Sequence, residues 1–288
     1  MLVCFSHLRW DFVWQRPQHL LSRFAERMAV VVVEEPREED SALGFHVKRC
    51  GNVTVLTPLL GPATVSAGGF GPTANAAIQT ELETFLGEDP DFARCSNPVL
   101  WYYTPLALGA EPASLLGKAL VVYDAMDELA SFRGAPTALR EQEDALLARA
   151  DLVFAGGPSL HAARQDRHPQ VHCFPSGVDA AHFSPPSKGV AQLPGLETRP
   201  RPIIGFYGVL DERIDLGLVD SIASARPDWT LAMVGPVTKI APDDLPRHPN
   251  IAYFGKQEYE DLPAFLSNFD VGLLPFARND ATRFISPT

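Results

Sequence analysis

The sequence predicts an α/β protein of two tandem Rossmann-like domains with mostly parallel sheets, the second of them incomplete. Three observations carry this. Short apolar, often β-branched runs alternate with amphipathic stretches along the whole chain, the pattern of doubly wound parallel sheets. A proline-rich stretch at 184–202 interrupts the alternation, which restarts at Ile203. The 288 residues, 46% hydrophobic and 20% charged, suffice for two cores at about 100–200 residues each. The expected division is therefore 1–183, a linker 184–202, and a partial second domain 203–288.

Taken in order, 1–6 reads as a short buried strand and 14–28 as a helix, with Leu20, Leu21, Phe24 and Met28 near helical spacing and Pro17 in the first turn, where its missing N–H costs little. Residues 29–33 form a β-branched run suited to a buried parallel strand, and 52–57 is a further strand. Residues 61–72 are rich in Gly and Pro and read as a loop. A helix follows over 74–86, striped by Ile78, Leu82, Phe85 and Leu86. Strands are expected at 98–103, 119–123, 151–155 and 171–174, with an amphipathic helix over 137–150. After the linker, strands at 203–207, 229–234, 251–254 and 270–276 alternate with helices at 216–225 and 259–269. The chain stops directly after a strand and loop, which reads as truncation of the second domain.

Charge and cysteine usage narrow the classes. A net charge of −11 argues against general nucleic-acid binding, which depends on neutralising phosphates. The four cysteines have no CxxC pair, and the eight histidines lack metal-ligand spacing, which reads as reduced thiols in a cytoplasmic protein with no metal site. The N-terminus lacks the charged and apolar regions of a signal peptide. Arg16, Arg23 and Arg27 beside apolar residues would allow peripheral contact with anionic lipid at the inner face of the membrane, although packing on the sheet is the preferred reading of that helix.

Ligands of open parallel sheets bind at the carboxyl ends of the strands, so the strand ends hold the candidate chemistry. After the first strand come Ser6, His7, Arg9 and Trp10, a cleft or acceptor candidate. The run Y-D-A-M-D-E at 123–128 places three carboxylates directly after a strand. Asp124 and Asp127 are the candidate catalytic groups, as base or as stabilisers of positive charge on a sugar; the alternative is a helix cap. In the second half Gly208 permits close backbone approach, and Arg213 could clamp a diphosphate unless it pairs with Asp211 or Asp215. Gly235 and Lys256 follow the next two strands, and Asn279, Thr282 and Ser286 follow the last, a set of groups that suits a phosphate. No GxxxxGK[ST], HExxH or GxSxG occurs, and Gly68-Gly69-Phe70-Gly71 is not framed as a dinucleotide fingerprint.

The stretches W-D-F-V-W-Q-R-P-Q-H-L, Y-D-A-M-D-E, A-D-L-V-F-A-G-G-P-S-L, F-P-S-G-V-D-A-A-H-F, G-V-L-D-E-R-I-D, P-N-I-A-Y-F-G-K and F-D-V-G-L-L-P-F, in that order, resemble the retaining GT-B glycosyltransferases (group 1, family 4-like) of bacteria over nearly the whole chain. The resemblance implies a cleft between an N-terminal acceptor domain and a C-terminal sugar-nucleotide domain. It implies transfer with retention, no metal, no cofactor beyond the nucleotide-diphosphate sugar, and an acceptor that is a cell-surface polysaccharide or glycolipid precursor. The family's G-R-L motif falls at Gly208-Val209-Leu210, where Val209 replaces Arg and no Lys follows, so Arg213 is the substitute diphosphate contact. The family's His-Asp pair falls near Met126-Asp127; Met126 cannot act as a base, which leaves Asp124 or Asp127. Of the family's two glutamates spaced by seven residues, the first has no counterpart near Phe284 and the second falls beyond Thr288, so weak or no turnover is expected of 288 residues. Rival readings are a nucleotide-sugar epimerase of the same fold, a non-catalytic nucleotide-sugar module, and a nicotinamide-dependent oxidoreductase. The last lacks G-x-G-x-x-G after either first strand.

Overall fold

The computed structural model describes residues 1–40, 44–65, 69–93, 95, 97–184, 193 and 195–286. The chain divides into two compact units, Met1–Ser176 and Gly177–Ser286. Residues 177–184 group with the second unit, for a visible reason: His182 stacks on Tyr259 at 4.2 Å, with its Nε2 2.9 Å from the Tyr259 carbonyl oxygen. Of the expected linker, Pro185, Pro186 and Pro194 lie outside the described residues, as does Gly68.

The first unit runs β1 (Leu2–Ser6), α1 (Arg16–Phe24), β2 (Val30–Glu34), β3 (Arg37–Glu38), β4 (Gly44–Cys50), β5 (Val53–Leu60), α2 (Pro72–Glu88), α3 (Pro90–Ala93), β6 (Val99–Tyr102), β7 (Leu120–Ala125), α4 (Leu139–Arg149), β8 (Leu152–Ala155), α5 (Pro158–Arg164) and β9 (Val171–Cys173). Its sheet has the order β3-β5-β2-β1-β6-β7-β8-β9, all parallel, with β4 joined antiparallel to the outer side of β5. Successive residues of a strand face opposite sides. Val3 and Phe5 of β1 therefore join Val31, Val33, Ile78 and Leu82 on one face, while Leu2 and Cys4 join Val30, Val32, Leu21 and Trp101 on the other. Both faces are covered, which is why β1 and β2 are continuous apolar runs.

The second unit runs β10 (Ile203–Tyr207), α6 (Leu216–Ala225), β11 (Thr230–Val234), β12 (Ile251–Gly255), α7 (Leu262–Asn268) and β13 (Val271–Gly272). Its sheet is parallel, in the order β12-β11-β10-β13. Val219 and Ala223 of α6 pack on Ile204, Phe206, Leu231 and Met233. Asp215 caps α6 by accepting from the Leu218 N–H at 2.8 Å.

The expected elements differ from the structure in three informative places. α1 is shorter than 14–28, and 25–28 close it as turns. β4 was not expected: its residues are largely exposed, and only Phe45, edge-on to Phe85 at 6.0 Å, marks its inner side. The strand expected over 270–276 keeps only two ladder residues. β13 has a single neighbour, Pro275 has no N–H to donate, and Phe276 instead bridges antiparallel to Ile214.

In both sheets the order reverses beside the first strand: β1 has β2 on one side and β6 on the other, and β10 has β11 and β13. The helices before and after such a strand leave on opposite faces, so a crevice opens at its carboxyl end. That topology selects the residues after β1 and after β10.

Candidate functional site

At the carboxyl end of β1 the sheet is tied together by buried carboxylates. Glu34, the last residue of β2, is buried and accepts from the Trp10 N–H (2.6 Å), the Thr57 hydroxyl (2.8 Å) and Arg9 Nη1 (3.1 Å). Arg9 also donates to the carbonyls of Glu35 (2.5 Å) and Pro36 (3.4 Å). It is a clamp between two loops. The Trp10 ring lies in the core against α1. The Ser6 hydroxyl closes its own turn, donating to Leu8 O (3.1 Å) and accepting from Leu8 N–H (3.0 Å). Of the four residues expected at this cleft, Ser6, Arg9 and Trp10 are thus turned inward to build the loop. His7 is half-buried.

The acidic run after β7 separates into three roles. Asp124 is 0% exposed and Arg16 only 7% exposed; Arg16 Nε reaches both carboxylate oxygens (3.1 and 3.0 Å) and Nη2 a third contact at 3.0 Å. Arg16 Nη1 donates to Phe174 O at 2.7 Å, so one guanidinium joins α1, β7 and the segment after β9. Burial raises the Asp124 carboxyl above its ordinary range, and the charge of Arg16 opposes that rise. The expectation of Asp124 as a catalytic group is corrected: it lies within β7, fully buried, with its carboxylate taken by the Arg16 guanidinium. Arg16 is likewise withdrawn from any lipid-facing set. Glu128 pairs with Arg164 (2.9 Å), whose guanidinium also holds Glu143 (2.6 Å), which in turn accepts from the Tyr123 hydroxyl (2.9 Å). Asp127 lies beyond the strand end and is half-buried.

Sequence reasoning passed over Glu35. It follows β2, beside the β1 crevice, and its carboxyl is lifted from an ordinary 4.5 to about 7 by burial, with Arg9 pulling the other way. A Cβ on Gly69 would lie 2.8 Å from its Oε1, so the glycine makes room for this carboxyl. The signal available was its place: a second acid directly after a buried strand.

In the second unit the strand ends are built from bare backbone. The Gly208 N–H donates to Val234 O (2.9 Å) and the Gly235 N–H to Gly255 O (2.8 Å). A Cβ on Gly235 would lie 1.8 Å from Gly208 O, and Gly235 has φ +144°, so packing between the two strand ends requires glycine there. Arg213 is held bidentately by buried Asp211, with Nε 2.8 and 3.0 Å and Nη2 2.7 Å from its oxygens. That corrects its expected role as a diphosphate clamp: a carboxylate two residues away in the same turn already takes the guanidinium fork. Asn279 and Thr282 do not turn outward either. Asn279 Nδ2 donates to Glu212 O (3.1 Å), its Oδ1 accepts from Thr282 N–H (3.0 Å), and the Thr282 hydroxyl donates to Ala277 O (2.5 Å). They shape the 277–283 turn. Lys256 is exposed, 3.9 Å from Glu258, and Ser286 is half-buried.

Loops on both sides of β10 are zipped to its extension. Leu210 N–H donates to Pro236 O (2.9 Å) and Thr238 N–H to Leu210 O (3.0 Å), while Asp215 N–H donates to Pro275 O and Ala277 N–H to Arg213 O (both 2.8 Å). Segments 208–215, 235–239 and 275–282 therefore share one end of the sheet. Among the described residues no group of three or more His, Cys, Asp or Glu side chains could hold a metal ion, and no helix is long and apolar enough to cross a membrane.

No family model matches the chain. A protein of Bacillus subtilis (strain 168) described as "Putative teichuronic acid biosynthesis glycosyltransferase TuaH" is 25% identical over 239 residues, covering 76% of this chain and 58% of that protein. The chain thus matches little over half of that relative's length. Among solved structures, the sucrose-phosphate synthase of Thermosynechococcus elongatus superposes with a TM-score of 0.69 at 14% identity, covering 97% of this chain and 76% of that one. An α,α-trehalose-phosphate synthase (UDP-forming) from Burkholderia vietnamiensis gives 0.62 at 14%, covering 94% and 77%. A structure described as trehalose-6-phosphate from E. coli bound with UDP-2-fluoro glucose gives 0.62 at 11%, covering 97% and 79%. By fold the chain is GT-B, and in sequence it is similar to a protein described as a putative glycosyltransferase.

Proposed function

We propose that the chain serves a retaining glycosyltransferase that moves a sugar from a nucleotide-diphosphate donor, held by the second unit, to a polysaccharide or glycolipid precursor of the cell surface, held by the first. The observation that carries this is the reversal of strand order beside the first strand of each unit, which opens one crevice at the end of β1 and another at the end of β10. The teichuronic-acid relative supports the acceptor class, and the UDP-2-fluoro glucose of the E. coli structure supports the donor class.

In the reaction the bond from the anomeric carbon to the donor's diphosphate oxygen breaks, and the acceptor hydroxyl oxygen forms a new bond to that carbon. The acceptor's proton passes to the departing diphosphate. Positive charge develops on the sugar ring, and a fixed carboxylate lowers that barrier. Asp127, half-buried just beyond the carboxyl end of β7, takes this role. Metal is not required for this scheme: backbone N–H groups and cations at the end of β10 would carry the diphosphate charge.

A thermal-shift panel of UDP-, GDP- and dTDP-sugars against NAD(H) and NADP(H) tests the reading. Stabilisation by at least one nucleotide sugar is expected. Stabilisation by nicotinamide cofactors alone would overturn it.

A further inference from the structure

Glu212 stands at the centre of the zipped loops after β10. Its side chain is only 6% exposed, and both carboxylate oxygens are buried without a hydrogen-bond partner. A buried carboxylate in that condition is costly, so a fold keeps one where its charge has a use. Its cationic neighbour is Lys239, whose Nζ is 3.6 Å from Glu212 Oε1. That is ion-pair range and too long for a hydrogen bond. The Lys239 side chain is 44% exposed. Its backbone is also unusual: φ is +60°, the left-handed region that a non-glycine residue enters at a cost. Such conformations persist where surrounding structure imposes them, and they gather at ligand sites. Here the imposing structure is visible. The 236–238 segment is locked to Leu210 by two hydrogen bonds, and the left-handed turn at 239 then brings the lysine back toward Glu212.

We infer that Lys239 is the cation that contacts the diphosphate of the donor, and that buried Glu212 is its positioning residue. The inference rests on the donor-site reading of the second unit and deepens it by naming the contact. A buried carboxylate holding a lysine toward phosphates is a known physical arrangement: the carboxylate fixes a flexible four-carbon chain that would otherwise lose entropy on binding. The neighbouring Arg213 cannot substitute, since Asp211 already holds its guanidinium at 2.7–3.0 Å. Glu212 and Lys239 meet across the β10–β11 pair, the side of the crevice lined by Gly208 and Gly235.

The test is calorimetric titration of the full chain with UDP, GDP, dTDP and inorganic pyrophosphate, and with the matching nucleosides. Lys239→Asn removes the charge while tolerating the left-handed backbone. It is expected to weaken the preferred nucleoside diphosphate, and pyrophosphate, about tenfold, leaving nucleoside affinity unchanged. Glu212→Gln is expected to weaken the diphosphate about threefold. The double variant should be no weaker than Lys239→Asn alone, a coupling that a merely structural glutamate would not produce. Equal diphosphate affinity of wild type and Lys239→Asn overturns the inference and leaves the donor reading standing; so does strict additivity of the two substitutions. If wild type binds none of the diphosphates, the donor reading itself falls and this inference with it.

Discussion

Replacing Arg16 by Met tests the account of the acidic run most directly. The side chain is 7% exposed and makes three contacts of 3.0–3.1 Å with a carboxylate that is 0% exposed. Methionine keeps much of the volume but leaves Asp124 charged, buried and unpaired. Breaking a buried pair in this way costs about 3–5 kcal/mol. For a unit of this size each kcal/mol moves the melting temperature by about 2–4 °C, so a fall of roughly 6–20 °C is expected for the first unit. The companion Asp124→Asn leaves Arg16 its bond to the Phe174 carbonyl and should cost less, about 1–3 kcal/mol. In the double variant neither charge is stranded, so it should recover about 2 kcal/mol relative to Arg16→Met.

The pH dependence follows from the same geometry. The folded Asp124 carboxyl already sits above its ordinary value because of burial, and loss of Arg16 removes the opposing pull. Between the ordinary value and the raised one, the folded state holds a proton that the unfolded state has released. Stability therefore falls as pH rises through that window and recovers as pH is lowered. The Arg16→Met penalty should shrink at pH 5 relative to pH 7.5. Urea and thermal melts of the four proteins at both pH values decide the matter. A penalty below about 1 kcal/mol at pH 7.5, or a double variant no better than Arg16→Met, refutes the reasoning.

Asp127→Asn should lower the transfer rate by about 100-fold or more while leaving donor affinity within twofold, read as kcat against the donor KM; an unchanged rate removes Asp127 from the mechanism. Glu35→Gln should flatten a pH dependence of stability: with the carboxyl at about 7 in place of 4.5, the folded state loses about 3 kcal/mol as pH rises from below 4.5 to above 7, and melts across that range should show the slope only with Glu35 present. Gly235→Ala, which would set a Cβ 1.8 Å from Gly208 O at φ +144°, should cost about 3 kcal/mol or more. Gly272→Ala, with nothing within 4 Å, should stay within about 1 kcal/mol in the same urea series.

The doubly wound character was legible because both faces of β1, β2, β10 and β11 are buried, and burial on both faces writes a continuous apolar run. β4 was not legible because its hydrophobic content is slight: an edge strand hydrogen-bonds through its backbone, and its side chains are mostly in water. α5 was missed for a related reason. It is seven residues long, and its most buried member is Arg164, which no apolar periodicity would reveal. The strand ends were located correctly by the rule for parallel sheets, yet the rule does not say which way a side chain turns. Arg9, Arg16 and Arg213 are each taken by a carboxylate, at Glu34, Asp124 and Asp211, and two of those three partners are distant in sequence.

Those three pairings have one physical origin. A strand end that opens a crevice also ends a ladder, so backbone and loop must be fastened there by other means. In the first unit the fastening is ionic: Glu34 gathers Arg9, Thr57 and the Trp10 N–H, and Asp124 gathers Arg16. In the second the Arg213–Asp211 pair is joined by backbone on backbone, through Gly208, Gly235 and the loops that extend β10. The proposed ligand contacts lie just past these fastenings: Asp127 beyond the end of β7 in the first unit, and Lys239, in ion-pair range of Glu212, in the second.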